Sequence, residues 1–430
     1  MRVFGGRRRN LRLAQLTAGF LLASLLICAS LFLPKVQNQS ERARSADAFV
    51  DSIGVNVHLT YDQTPYGRGY ETIIKPQLQE LGIRHIRDGM VLNRERYYNR
   101  LKELASVNIR STLIAGIGWV TPKQAVELAQ RLGDAMEAVE GPNEYDARNR
   151  DPKQWVPALR DYMQQLKAEF SQNRATSRLP ILGPSFIKGD SSTRIGDLRP
   201  WVTHGNMHPY SYPHHPGNGN IKNEIANRSK PTVGKPIIAT ETGYHTGGAG
   251  SDRPIPENVQ GKYIPRLFLE CFNAGVVRTF SYEFIDQRVR PRDREANFGI
   301  LHNDGSPKPA FTNLKKLISL LKDPGPQFSL DNLDYTLRGN LRKIHHTLLQ
   351  KRDGTFYLLL WLEAPSFDRI RNRAFTVRSE PITLTLNQKI KDVVIYSDID
   401  TTNPGQQYRM PQQLRLNVPD YPLVVKLTPA

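Results

Sequence analysis

Cysteine is nearly absent. Of two in 430 residues, Cys28 lies in an apolar N-terminal run and Cys271 stands alone, so no intrachain disulfide is expected. A core of this size needs none. Zinc-type spacing is missing as well. Histidines occur at 204, 208, 214 and 215, but irregularly, and His214-His215 sits in a Pro- and Gly-rich stretch. The close helical pairing of a hydrolytic zinc site is absent, so no metal ligand is assigned. No Gly-rich turn follows the first candidate strand at Leu59, which argues against a doubly wound dinucleotide-binding sheet. Recognisable nucleic-acid modules are also lacking, so no nucleic-acid partner is expected.

What remains describes an ordinary globular chain, with 39% hydrophobic and 23% charged residues, long enough for one barrel-sized domain and a smaller one. The exception is the N-terminus. Arg2, Arg7, Arg8, Arg9 and Arg12 precede an apolar run from about Ala14 to Leu33, ended by Pro34. Roughly 20 apolar residues suffice to cross a bilayer as a helix. Flanking arginines would keep that end in the cytoplasm. Residues 1–34 are therefore read as a signal anchor or a signal peptide. Either places the rest of the chain outside the cytoplasm, membrane-anchored or secreted. Five of the cations behind the net charge of +18 serve that topology. The others are spread thinly, as a basic soluble surface or as a preference for acidic polysaccharide or an anionic cell surface.

Residues 35–48 are polar and charged and read as a linker. From 49 to 325, short β-rich apolar runs alternate with helical stretches. Strands are expected at 53–59, 83–87, 111–117, 138–140, 180–183, 205–208, 236–239 and 276–282. Helices are expected at 70–81, 93–105, 123–132, 155–169 and 259–274, with Thr121-Pro122 as an N-cap and first-turn proline. Eight alternations of roughly 30 residues predict a (β/α)₈ TIM barrel of the α/β class. From 326 to 430 the period changes to two, with strands at 356–362, 382–386, 393–396 and 424–427, which predicts a small β-sandwich.

In such a barrel, chemistry gathers at the C-terminal ends of the strands. The fourth ends in Glu140-Gly-Pro-Asn143-Glu144 and the seventh in Ala239-Thr-Glu241. A carboxylate there is costly without partners or a task. Two carboxylates across a barrel mouth suit glycosidic cleavage, one donating a proton while the other, ionised, attacks or stabilises the sugar cation. Apolar surroundings raise the pKa of the first, and an arginine or phenol holds the second as carboxylate. Arg87 on the second strand and Tyr210 after the sixth are placed to do this, although Arg87 could instead neutralise Asp88. Glu140, within its strand, reads as structural or substrate-orienting.

Asn143-Glu144 and Glu241, 97 residues later, resemble the pattern of clan A glycoside hydrolases, closest to family 39 and then family 5. The resemblance includes membrane-tethered exopolysaccharide endoglycosidases and covers about residues 50–320. It implies Glu144 as general acid/base, Asn143 as ligand of the sugar 2-hydroxyl and Glu241 as nucleophile of a retaining hydrolase. Arg87 matches the strand-two arginine, and His208 and Tyr210 match a strand-six His-x-Tyr element. The segment 298–311 is similar to the stretch that closes such barrels. One departure is the strand-eight end, where the clan's tryptophan is replaced by Tyr282; this puts the shape of the sugar subsite in question. Glu283 reads as a substrate contact or a salt bridge. Trp119 and Trp201 read as stacking or packing residues.

The function expected is retaining hydrolysis of a poly- or oligosaccharide, without a cofactor. Its rivals are a tethered, non-catalytic carbohydrate-binding protein and a transglycosylase using the same residues.

Overall fold

The computed structural model describes residues 35–148, 151–218, 220–249, 254–396 and 405–430. The expected membrane or signal segment, 1–34, lies outside the described residues. Among the described residues no helix is long and apolar enough to cross a membrane.

Eight parallel strands form the barrel: β1 Ile53–Asn56, β2 His85–Gly89, β3 Arg110–Ile114, β4 Met136–Glu140, β5 Ile181–Leu182, β6 Gly205–Met207, β7 Ile237–Thr242 and β8 Thr279–Ser281. Their order in the sheet runs β5-β4-β3-β2-β1-β8-β7-β6. A parallel bridge between Leu182 and His204 brings β5 beside β6, so the barrel is nearly closed. Helices cover the outside. Thr121 caps Pro122–Leu132 through a full capping box with Gln124. Pro152–Gln172 and Glu257–Asn273 are the longest of them.

Period two along the strands fills the interior in layers. Ala138, Leu182, Ile238 and Phe280 form an apolar plug. Gly54 makes room for it, since a Cβ there would lie 2.5 Å from the Phe280 ring. Two residues further along the strands, Asn56, Arg87, Glu140, Asn206 and Thr240 form a buried polar layer at the mouth. Thus one pattern supplies both the core and the floor of a site.

The predicted sandwich is present, with more strands than periodicity marked. One sheet has four strands and the other six. Residues 35–48, read as a linker, are a correction. Lys35–Arg42 is an edge strand paired antiparallel with Asn332–Gly339, and Ala46–Asp51 is a helix capped by Ser45. An edge strand is held by its backbone ladder and can be polar throughout, so alternation gave no sign of it.

Barrel and sandwich share a core: Leu349, Tyr357, Leu359, Trp361 and Phe367 pack into the barrel's apolar cluster. A buried ion network crosses the same boundary. Arg266, fully buried on helix Glu257–Asn273, donates to Glu363 of the sandwich through Nε at 3.0 Å and through Nη2. Glu363 also accepts from the Trp361 indole at 2.9 Å, bonds His215 Nδ1 at 2.7 Å and accepts from Gly217 N–H at 2.8 Å. Gly217 has to be glycine, because a Cβ would lie 2.6 Å from Glu363 Cγ. The loop after β6 is thereby fastened to the sandwich.

Candidate active site

The polar layer is organised by Arg87. Its Nε and Nη2 donate to the two oxygens of Glu140 at 2.5 and 2.8 Å. Nη1 donates to Asn56 Oδ1 at 2.8 Å and Glu241 Oε1 at 2.6 Å, and Nη2 to Asn143 Oδ1 at 2.7 Å. All five guanidinium protons are used. Glu140 is fully buried and also accepts from Asn206 Nδ2 (3.0 Å) and the Thr240 hydroxyl (3.1 Å). Glu140 therefore holds Arg87 in place from below, and Arg87 presents its remaining face to Glu241.

Glu241 reaches the axis through a bulge. Thr279 of β8 faces Ala239 while Ser281 faces Thr242, so β7 carries one extra residue between them. Consecutive side chains, Thr240 and Glu241, both point inward as a result. Tyr210 donates to Glu241 Oε2 at 3.1 Å. Burial pushes the Glu241 carboxyl up, but His208, Arg87 and Tyr210 together outweigh it and hold it below the ordinary range.

Glu144 follows the Gly141-Pro142-Asn143 turn and takes a left-handed backbone, φ 47°. For a residue other than glycine this costs on the order of 1 kcal/mol, and such residues gather at functional sites. Its N–H donates to Ser185 Oγ at 3.1 Å, and Ser185 donates to Asn143 Oδ1 at 3.2 Å. With Oδ1 taken by Arg87 and Ser185, the Asn143 amide NH₂ is left facing the cavity.

His208 joins the two carboxylates. Its Nδ1 lies 2.7 Å from Glu144 Oε1 and 3.6 Å from Glu241 Oε2, and its Nε2 lies 3.0 Å from Thr240 Oγ1. The Thr240 hydroxyl proton already has acceptors in Asn206 Oδ1 at 2.7 Å and Glu140. Nε2 must therefore carry the proton of the His208–Thr240 bond. A second proton is then shared between Nδ1 and Glu144. Glu144, His208 and Glu241 bring ligand-type atoms within 4.8 Å of one another, which sets the upper limit on the nearest carboxylate oxygens.

These groups line a cavity of about 680 Å³ at the barrel mouth. Of the residues singled out in the sequence, Arg87, Asn143, Glu144, His208, Tyr210, Glu241, Tyr282 and Trp119 all face it. Glu283 does not. It is fully buried behind Tyr282, accepting from Tyr66 and Gln287 at 3.0 Å each, and burial pushes its carboxyl well above the usual range. Its expected role as a substrate contact is therefore corrected. Trp201 lies under Arg160, away from the cavity.

Sequence reading missed several lining residues. His58 is stacked on Tyr61 at 4.5 Å and kept neutral by burial, its pKa lowered to about 4. Tyr61, 46% exposed, joins the expected Trp119 to give the cavity two flat apolar faces, one after β1 and one after β3. Tyr212, His245 and Phe298 also line the wall. Asn56 and His58 had a readable signal, continuing the period two of Gly54; the loop residues Tyr61, Tyr212 and Phe298 had none.

Glu270, His345 and Glu363 form a second close cluster at the domain boundary. There arginine, tryptophan and histidine partners already answer the carboxylates, as Arg87, Tyr210 and His208 do around Glu144 and Glu241, so neither cluster is assigned as a metal site.

No family model matches the sequence, and no curated protein matches it either. Solved structures do match. A family 39 glycoside hydrolase from the gut symbiont Bacteroides cellulosilyticus aligns with a TM-score of 0.61 at 15% identity, over 90% of this chain and 82% of that one. A glucosidase from Croceicoccus marinus also gives 0.61, at 9% identity over 93% and 99%. An endo-β1,6-glucanase gives 0.52 at 12% identity over 92% and 94%. The chain has the fold of the glycoside hydrolases. Across barrel and sandwich together, that fold is family 39-like. At these identities the likeness is one of fold, and the chemistry rests on the site.

Proposed function

We propose that the chain is a retaining glycoside hydrolase that cleaves O-glycosidic bonds of a poly- or oligosaccharide by double displacement. The observation that carries this is the pair Glu144 and Glu241, with nearest oxygens within 4.8 Å across the cavity and unlike partners. Retaining enzymes keep their carboxyl groups about 5–5.5 Å apart, whereas inverting ones need about 6.5–9.5 Å to admit a water.

Arg87 and Tyr210 keep Glu241 ionised, so it attacks the anomeric carbon. Glu144 delivers the proton it shares with His208 to the leaving oxygen. It then takes a proton from water, which releases the sugar from Glu241. The Asn143 NH₂ is placed to bind a sugar hydroxyl beside the reacting carbon. No step calls for a cofactor.

The N-terminal arginines and apolar run support a location outside the cytoplasm, anchored or secreted, and hence a polysaccharide of the cell exterior as substrate. The test is release of reducing ends by the full chain from β-glucans, mannans, xylans and the producing cell's own exopolysaccharide. Activity that disappears in Glu241→Gln is expected. Glycan binding without hydrolysis in either protein would overturn the proposal in favour of a carbohydrate-binding role.

A further inference from the structure

Beside the catalytic cavity, at the same end of the barrel, lies a second recess of about 450 Å³. The two share walls. In the loop after β1, Thr60 and Tyr61 face the catalytic cavity while Gln63 and Thr64 face the recess. In the segment after β8, Tyr282, Arg294 and Phe298 face the first, while Gln287 and Arg288 face the second.

The charge of the recess is of one sign. Arg68 and Arg288 line it and no carboxylate does; the other polar lining is amide and hydroxyl, from Gln63, Gln287, Asn303 and Thr72 among others. Both arginines are exposed, and neither pairs with a carboxylate among the described residues. Arg68 Nη2 donates to Gln63 Oε1 at 2.5 Å, which leaves the rest of its fork free. Arg288 is also within electrostatic reach of the Tyr61 phenol. Burial, Asp88 and Glu283 push that phenol's pKa up, and Arg288 opposes them. Tyr61, flat on His58 and half exposed, therefore stands between the nucleophile's cavity and the arginine pair.

Single exposed arginines are commonplace. Two that converge on one concavity, among amides and without a counter-charge, match a planar carboxylate in geometry and sign. A pyranose ring stacked on Tyr61 would carry a glycan from one recess to the other.

We propose that this recess is a distal subsite for an acidic sugar, a uronic acid or similarly carboxylated unit, of the chain whose glycosidic bond lies between Glu144 and Glu241. This rests on the hydrolase reading and narrows its substrate to an acidic polysaccharide cut internally.

The experiment reads binding apart from turnover. Calorimetry on Glu241→Gln compares oligogalacturonates, alginate oligomers and glucuronoxylan oligosaccharides with neutral cello-, manno- and xylo-oligosaccharides. It is then repeated with Arg68→Gln and Arg288→Gln added, and each protein's thermal midpoint is checked against its parent. At least one acidic series should bind more tightly than the neutral ones and weaken as salt is raised. It should lose about 10-fold or more in affinity in the added double variant, while neutral ligands are unchanged. Acidic ligands that bind no better than neutral ones, or whose affinity the arginine variants leave intact, overturn the subsite. If acidic ligands bind through the arginines but the active chain hydrolyses no glycan, the hydrolase reading falls and the binding site stands.

Discussion

Replacing Arg87 by lysine keeps the charge and removes the geometry. Arginine here serves five acceptor contacts on Glu140, Glu241, Asn56 and Asn143, all at 2.5–2.8 Å. A lysine ammonium has three protons at one point, so at least two contacts are orphaned in a layer without solvent. Hydrogen bonds to charged groups contribute about 1.5–3 kcal/mol each, so the loss is about 3–6 kcal/mol. Against a total of about 5–15 kcal/mol for a typical fold, that is a large fraction. The pH dependence has a definite sign. Glu241 is held below its ordinary range, so its contribution is present above the unfolded carboxylate pKa and is lost as pH falls through the lowered folded value. The deficit of Arg87→Lys should therefore be largest at neutral pH and shrink in acid. Denaturant unfolding at about pH 7 and about pH 4 measures it. In parallel, kcat should fall by about 100-fold, because the nucleophile loses its support. A lysine variant within about 1 kcal/mol of the parent at neutral pH, with kcat preserved, would refute the five-contact account.

Three further outcomes follow from the same geometry. Tyr210→Phe removes the phenol donor at 3.1 Å without changing volume; kcat should drop by about 10- to 100-fold and the acidic limb of the kcat/KM profile should move to higher pH. Asp88 is pushed up to about 7 by burial, against N–H donors from Leu59 and Gly89 and the Arg87 charge, so its ionised form weakens the fold as pH rises from the ordinary 3.8 towards 7. Melting curves of Asp88→Asn and the parent should accordingly shift in the variant's favour between about pH 5 and pH 8. Glu363→Gln strands the buried Arg266 and loosens the loop of His215 and Gly217. Stability should fall by about 3–5 kcal/mol, and the acidic limb should move as in Tyr210→Phe but less, since Tyr210 heads that loop. An unmoved pH profile would mean the sandwich does not reach the nucleophile.

The barrel was legible because its strands are short apolar runs, four of which carry a chemically conspicuous residue near or just past their C-terminal ends: Arg87, Glu144, His208 and Glu241. Residue type, strand-end position and the family resemblance singled out these four without showing how they meet. The five-fold use of Arg87, the bulge that turns Glu241 inward and the proton shared by His208 and Glu144 depend on register and side-chain angle, which periodicity does not encode. Glu283 misled because a carboxylate at a strand end looks the same in sequence whether it faces solvent or sits under a tyrosine. Lys35–Arg42 misled for the opposite reason, as a polar strand whose stability comes from backbone pairing. The Glu363 clamp joins residues 148 positions apart in two domains, and nothing local to either announces it.

In double displacement Glu241 forms a covalent bond to the sugar. The most direct measurement is NMR of the anomeric proton in the first product formed from the best substrate, with mass spectrometry of the chain after a slow fluoro-sugar substrate. Retained configuration and a glycosyl adduct on the peptide containing Glu241 are expected. Inverted configuration, or an adduct on Glu144 or elsewhere, would contradict Glu241 as nucleophile.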